Sequence, residues 1–211
     1  MVVIAVFGGT GKIGRRVLER ALASGFAVRA LVRDPGKLLV SSDRLTVVQG
    51  DVLDPAAVDQ TVAGADVVLS LFGQVKGSPH TLQADGTRNI VTATDRHGVH
   101  RIVSLSGGGL AAEGKDHPKL PDRIIRLLLK TLSGHVLSDA ENHLQVLQDS
   151  GLEWTVVRGP RLTDKPATGS YRVGWVGVNA STRIGRDDLA DFILTQVTDR
   201  TYIRQMPFVS Q

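Results

Sequence analysis

Residues 2–7 (Val-Val-Ile-Ala-Val-Phe) are apolar without a break. A strand lacking polar alternation is buried on both faces, as in a parallel sheet covered by helices. Behind it Ile13, Val17, Leu18, Ala21 and Leu22 recur at helical spacing, and Ser24-Gly25 ends the run. Ala27 to Val32 predicts a second strand. The alternation continues with a short strand over Leu45 to Val48 and a helix over Pro55 to Val62. Asp54 is placed to cap that helix, with proline at its first position. An apolar strand follows over Asp66 to Leu71, then a long helix over Leu82 to His97 and a strand over Arg101 to Leu105. Helices over Leu120 to Leu132 and Val136 to Gln148 precede a buried strand over Trp154 to Val157.

After Gly159-Pro160 the regularity breaks. Residues 160–185 hold Pro, Gly, Thr and Ser, with a strand expected over Tyr171 to Val178. A last helix, Arg186 to Thr198, opens on Asp187-Asp188, which suits the positive end of its dipole. No repeat and no low-complexity linker interrupts the chain. The pattern predicts an α/β fold, a doubly wound parallel sheet of the Rossmann type. Residues 1–211 are expected to form a single domain, with 160–211 as a small C-terminal elaboration on the substrate side.

Composition narrows the chemistry. The 211 residues are 42% apolar and 22% charged, ordinary for a globular chain and unlike a disordered one. There is no Cys, which excludes a disulfide scaffold, a thiolate metal site, an iron–sulfur cluster and a Cys nucleophile. The six His are scattered without metal-site spacing, so no metal is expected. The longest apolar run is far short of the roughly 20 residues of a membrane helix. Met1 leads straight into the first strand with no secretory pattern, and the expected location is the cytoplasm. The net charge of +4 is spread along the chain, so neither nucleic acid nor membrane is an expected partner. Arg outnumbers Lys 18 to 7, and its planar fork grips phosphate.

The turn Gly8-Gly9-Thr10-Gly11-Lys12-Ile13-Gly14 joins the first strand to the first helix. A helix N-terminus gathers unpaired N–H groups and about half a positive charge. A diphosphate sits there when no side chain blocks it. Gly8 is expected to allow the turn, Gly11 to admit the pyrophosphate, and Gly14 to permit close helix–strand packing. Thr10, Lys12 and the N–H of Ile13 add donors. No Gly-Lys-Ser or Gly-Lys-Thr follows, which excludes a nucleoside-triphosphate loop.

The second strand ends at Leu31-Val32, and Arg33 follows where an acid would hold the ribose of NAD. Asp34, Pro35 and Gly36 then lead to Lys37. Arg33 and Lys37 suit a 2′-phosphate and favour NADP(H). The competing assignment gives Asp34 the ribose of NAD and leaves both cations solvated. Gly50-Asp51-Val52 follows the third strand. Asp51 there either accepts from the adenine amino group or belongs to a plain helix-start loop. Phe72-Gly73 ends the fourth strand, where the crevice of such sheets is expected.

Together with Gly86-Thr87-Arg88-Asn89-Ile90-Val91, Ser150-Gly151-Leu152 and Val156-Val157-Arg158, these segments resemble the atypical short-chain dehydrogenase/reductase group, NAD(P)H-binding or NmrA-like. The chain is most similar to its NADPH-dependent flavin reductase/biliverdin reductase B type. The resemblance implies a nicotinamide pocket over Leu71, Phe72 and Gly73, over Leu105 and Ser106, and over Pro160 and Arg161. It also implies the 2′-phosphate contact of Arg33 and Lys37. Two departures stand out. Tyr171 and Tyr202 are not followed by the Lys of a Tyr-x-x-x-Lys pair, and Gly107 stands where that type carries a Ser.

Hydride transfer to a flavin needs stacking and exclusion of water more than an acid. Two readings of Ser106 stand side by side: a donor to the acceptor or to the nicotinamide carboxamide, and a strand-end hydroxyl with a backbone partner. His117 is a candidate lid residue, and Glu141 and His143 are candidate proton sources. Arg161 is a clamp for an anion or a surface cation paired with Asp164. The expected function is an NADPH-dependent reductase of a small, flat acceptor, a flavin or a quinone. The alternative is a non-catalytic sensor of NADP(H).

Overall fold

The computed structural model describes residues 1–120, 122–124, 127, 131 and 134–211. The first half runs β1 (Val3–Phe7), α1 (Lys12–Ala23), β2 (Ala27–Val32), a 3-10 turn (Pro35–Lys37), β3 (Leu45–Gln49), α2 (Pro55–Val62), β4 (Val67–Ser70) and α3 (Leu82–His97). The second runs β5 (Arg101–Gly107), α4 (Gly134–Asp149), β6 (Glu153–Gly159), β7 (Arg161–Thr163), β8 (Arg172–Gly174), β9 (Arg183–Gly185), α5 (Arg186–Thr195) and β10 (Phe208–Ser210).

The main sheet has the order β3-β2-β1-β4-β5-β6-β10-β8, and β7 pairs with β9 in a separate ribbon. All neighbours in the main sheet are parallel except β10 and β8. The chain steps outward from β1 to β3 and returns to the other side of β1 as β4. The topological switch point therefore lies between β1 and β4, as the doubly wound reading expects.

Successive residues of a strand face opposite sides. In β1, Ile4 and Val6 pack with Val17 and Leu18 of α1 and Leu189 and Ile193 of α5. Ala5 and Phe7 pack with Val58 of α2, Ile90 of α3 and Leu147 of α4. Both faces need apolar side chains, which is why residues 2–7 carry no polar break.

Helices α2 and α3 have the expected bounds, and Asp54 accepts from the Ala56 N–H at 3.0 Å as the cap of α2. Three expectations change. The strand over Tyr171 to Val178 shortens to β8, because Trp175 and Val178 exchange main-chain hydrogen bonds of 2.9 and 2.8 Å and close a turn. The last helix stops at Thr195, where i→i+3 bonds such as Gln196 N–H to Ile193 O tighten the end. Strands β7, β9 and β10 were not expected. Most of the helix expected over Leu120 to Leu132 lies outside the described residues. No helix among the described residues is long and apolar enough to cross a membrane.

Candidate functional site

The glycine turn is tightly built. Gly8 has φ +85°, and a Cβ there would lie 2.7 Å from the Leu71 carbonyl carbon. A Cβ on Gly14 would lie 2.1 Å from the Gly8 oxygen, so the helix start can close on the strand end only with glycine there. Gly11 is the N-cap of α1, which has no side-chain cap and no acid in its first turn. Its first helical bond is Arg15 N–H to Gly11 O, so the N–H groups of Lys12, Ile13 and Gly14 precede the bonded ladder. Two other helices, α2 and α3, meet a carboxylate at their N-termini, and α5, which also lacks a side-chain cap, carries Asp187 and Asp188 in its first turn. Asp54 caps α2, and Asp139 of α4 accepts from Gln83 N–H and Ala84 N–H of α3 at 2.9 and 3.0 Å. The bare end of α1 thus presents unbonded N–H groups that suit an anion such as a dinucleotide diphosphate.

The sequence reading missed Arg15. Its guanidinium donates to Thr10 O at 3.0 Å and to Lys37 O at 3.3 Å, tying the glycine turn to the Pro35–Lys37 turn. On that turn Asp34 accepts from Gly36 N–H at 3.1 Å and lies 3.5 Å from Lys37 Nζ. Arg33 is exposed, 3.9 Å from Asp51, whose other oxygen accepts from Leu53 N–H. Two cations thus flank the end of β2, while its acid caps the turn. Val52 and Phe72 pack on α3 at Gly86, where a Cβ would lie 2.9 Å from Val52 Cγ2 and 2.8 Å from Phe72 Cζ. Asn89 donates to Val52 O at 3.0 Å. The segment Gly86 to Val91 therefore seats the β3 and β4 loops.

A cavity of about 460 Å³ opens beyond β5 and β6. Leu110, Val136, Leu137, Ala140 and Phe208 form its apolar walls, and its floor includes bare main chain at Gly107 to Gly109. Ser106, Pro160 and Arg161 are brought together on it; Leu71, Phe72, Gly73 and Leu105 stand outside its lining. Ser106 is 8% exposed, and its Oγ has no hydrogen-bond partner among the described residues. The reading of a strand-end hydroxyl with a backbone partner is thereby corrected. A Cβ on Gly107 would meet nothing within 4 Å, so loss of a side chain there adds open space.

The remaining candidates lie elsewhere. His143 is 1% exposed and bonds Ser104 Oγ through Nε2 at 2.9 Å, away from the cavity lining. Glu141 lines a separate polar groove. The His117 N–H donates to Val176 O at 2.8 Å, and His117 is absent from the cavity wall. Asp164 pairs with Arg186 at 2.8 Å and Arg16 at 3.6 Å rather than with Arg161.

The sequence reading named Arg158 only as part of the Val156-Val157-Arg158 motif and gave it no role. It is fully buried and donates to both oxygens of Asp116 at 2.7 and 3.0 Å, to Leu110 O and to Met206 O. Asp116 also accepts from the N–H groups of Ala112 and Val176. Burial opposes its ionisation, but the Arg158 fork and the two N–H donors hold its carboxyl below the usual range. This cluster pins the wall-forming loops to β6.

Residues 8–200 match the model of a family described as NAD(P)H-binding. The chain is 36% identical over 155 residues to the (4-alkanoyl-5-oxo-2,5-dihydrofuran-3-yl)methyl phosphate reductase of Streptomyces griseus. That alignment covers 74% of this chain and 46% of that protein. The fold is similar to a short-chain dehydrogenase/reductase of Veillonella parvula in complex with NADP, with TM-score 0.79 and 19% identity over 100% of this chain and 94% of that one. It is also similar to ChuY, an anaerobillin reductase of Escherichia coli O157:H7, with TM-score 0.78 and 20% identity over 100% and 97%. The chain spans between 34% and 61% of the length of the first curated relatives it matches. The family match takes in the glycine turn and nearly all of the sheet, and the chain belongs to the NAD(P)H-binding family.

Proposed function

We propose that this chain is an NADPH-dependent reductase that serves a small, flat, conjugated acceptor, a flavin or a quinone. One observation carries the reading: Ser106, whose buried hydroxyl has no partner of its own, lines the apolar cavity. A buried donor left unmade costs about 1–3 kcal/mol, and a ligand acceptor atom removes that cost. The printed activities of the Streptomyces and Escherichia coli proteins are reductions, which supports the same class.

Arg33 and Lys37 are the residues that would hold the 2′-phosphate. The bare α1 terminus would hold the diphosphate. NADPH, when bound, supplies the hydride, and the acceptor takes its balancing proton from solvent. No tyrosine is set to act as a proton donor. Tyr171 and Tyr202 pack against Phe192, with ring centroids 5.8 and 5.9 Å away, and burial raises both phenols above their ordinary value. The chain's own work is to orient the ring, exclude water and donate one hydrogen bond from Ser106.

The test is NADPH oxidation with FMN, riboflavin and a naphthoquinone. Turnover is expected with at least one of them. Ser106→Ala should lower kcat by about three- to tenfold, the value of one neutral hydrogen bond, with NADPH affinity unchanged. Tight NADP binding with no turnover on any acceptor would instead assign the chain to the sensor class.

A further inference from the structure

Arg161 and Arg183 are register partners in the parallel ribbon β7–β9. The next residues along, Leu162 and Ile184, both pack into the layer under α1 and α5. Alternation then turns Arg161 and Arg183 to the opposite side. Both are exposed, and Arg161 lines the cavity mouth beside Ser181 and Thr182, the residue before Arg183.

Two guanidiniums at one register on adjacent strands repel each other. No carboxylate relieves them among the described residues, because the neighbouring acids are engaged. Asp164 holds Arg16 and Arg186, and Asp187 holds Arg16 and Arg20. Asp188 accepts from Thr168, Gly169 and Gln211. Arg161 thus lines the cavity that Ser106 also lines, and Arg183 is its register partner on the neighbouring strand. The arginine pair and the unpartnered hydroxyl are independent features, and both ask for a ligand atom of negative or acceptor character.

We infer that Arg161 and Arg183 grip an anionic group, carboxylate or phosphate, carried by the acceptor whose ring occupies the cavity. The inference rests on the reductase reading and narrows its substrate class to conjugated rings with a charged tail. Arg favours this role because its fork meets such anions with two parallel hydrogen bonds.

The test needs no turnover. FMN and riboflavin share one ring and differ by a phosphate. Each is titrated into the NADP-loaded protein by calorimetry. FMN is expected to bind at least about tenfold more tightly, as one charge-assisted contact provides, and to weaken more steeply with salt. Arg161→Gln and Arg183→Gln should each erase most of that difference while leaving NADPH affinity within about twofold. Equal binding of the two flavins, or no binding of FMN, overturns the proposal. A loss of NADPH affinity in either variant also overturns it, since the anion served would then be the coenzyme's own phosphate. Absence of turnover with every acceptor defeats the reductase reading alone, because the flavin comparison is read from binding.

Discussion

His143 and Ser104 meet across the α4–β5 contact at 2.9 Å, in a place where imidazole is held neutral. Burial pushes the ring down to about 4, against smaller upward pulls from the Ala140 carbonyl and the Asp139 carboxylate. In the unfolded chain the ring titrates near its ordinary value, about 6.5. Between those values the unfolded state binds more protons, so stability is full above about pH 6.5 and is lost as pH falls towards about 4. The loss for this group amounts to roughly 3 kcal/mol across that window. Urea unfolding of the wild type and of His143→Gln as a function of pH checks this. The wild-type midpoint should fall through the window, and the variant should show a flatter profile there. The Asp116 carboxyl does not blur the reading, because its depressed value places its titration below the ordinary carboxylate range.

At the scale of elements, the β1–α1 junction sets two terms against each other at one residue. Alanine is the better helix former, by about 1 kcal/mol over glycine. At Gly14, however, an alanine Cβ would lie 2.1 Å from the Gly8 oxygen, which is main chain and cannot swing away. The steric term should win. Gly14→Ala is expected to lower stability by about 1–3 kcal/mol, as overpacking does, and to weaken coenzyme binding by prising the turn open. Denaturant melts with and without NADPH measure both. A variant more stable than the wild type would mean that the close approach does not hold the turn.

The same junction shows what could be read from the sequence. Its glycines, the bounds of α2 and α3 and the Asp54 cap all follow from local spacing and turn chemistry. Strands β7, β9 and β10 are three residues each, too short for any period to register. The cap of α3 comes from Asp139, more than 50 residues away in the chain. Likewise the Arg158–Asp116 pair spans 42 residues and announces itself only as a charged residue inside an apolar strand. In the site, Ser106, Pro160 and Arg161 share the cavity because β5 and β6 are neighbours. The loop walls that complete it depend on long-range contacts that no local pattern encodes.

For the molecule as a whole, the sheet divides the work between two places. At the switch-point side, the bare end of α1 and the cations after β2 form one continuous cationic and amide-rich seat. Farther along the strand ends, the Arg158 cluster holds an apolar cavity open beside it. In the proposed function the second place depends on a coenzyme held at the first, and the proposal gives the exposed Arg33 the choice between the two pyridine coenzymes. Calorimetric titration of the wild type and of Arg33→Asp with NADP and with NAD is therefore the most direct measurement. One site per chain is expected, with NADP bound about 10- to 100-fold more tightly than NAD, the worth of a charged hydrogen bond. Arg33→Asp should remove that preference and leave NAD affinity little changed. No heat with either coenzyme, or equal affinities unaffected by the substitution, would contradict the account.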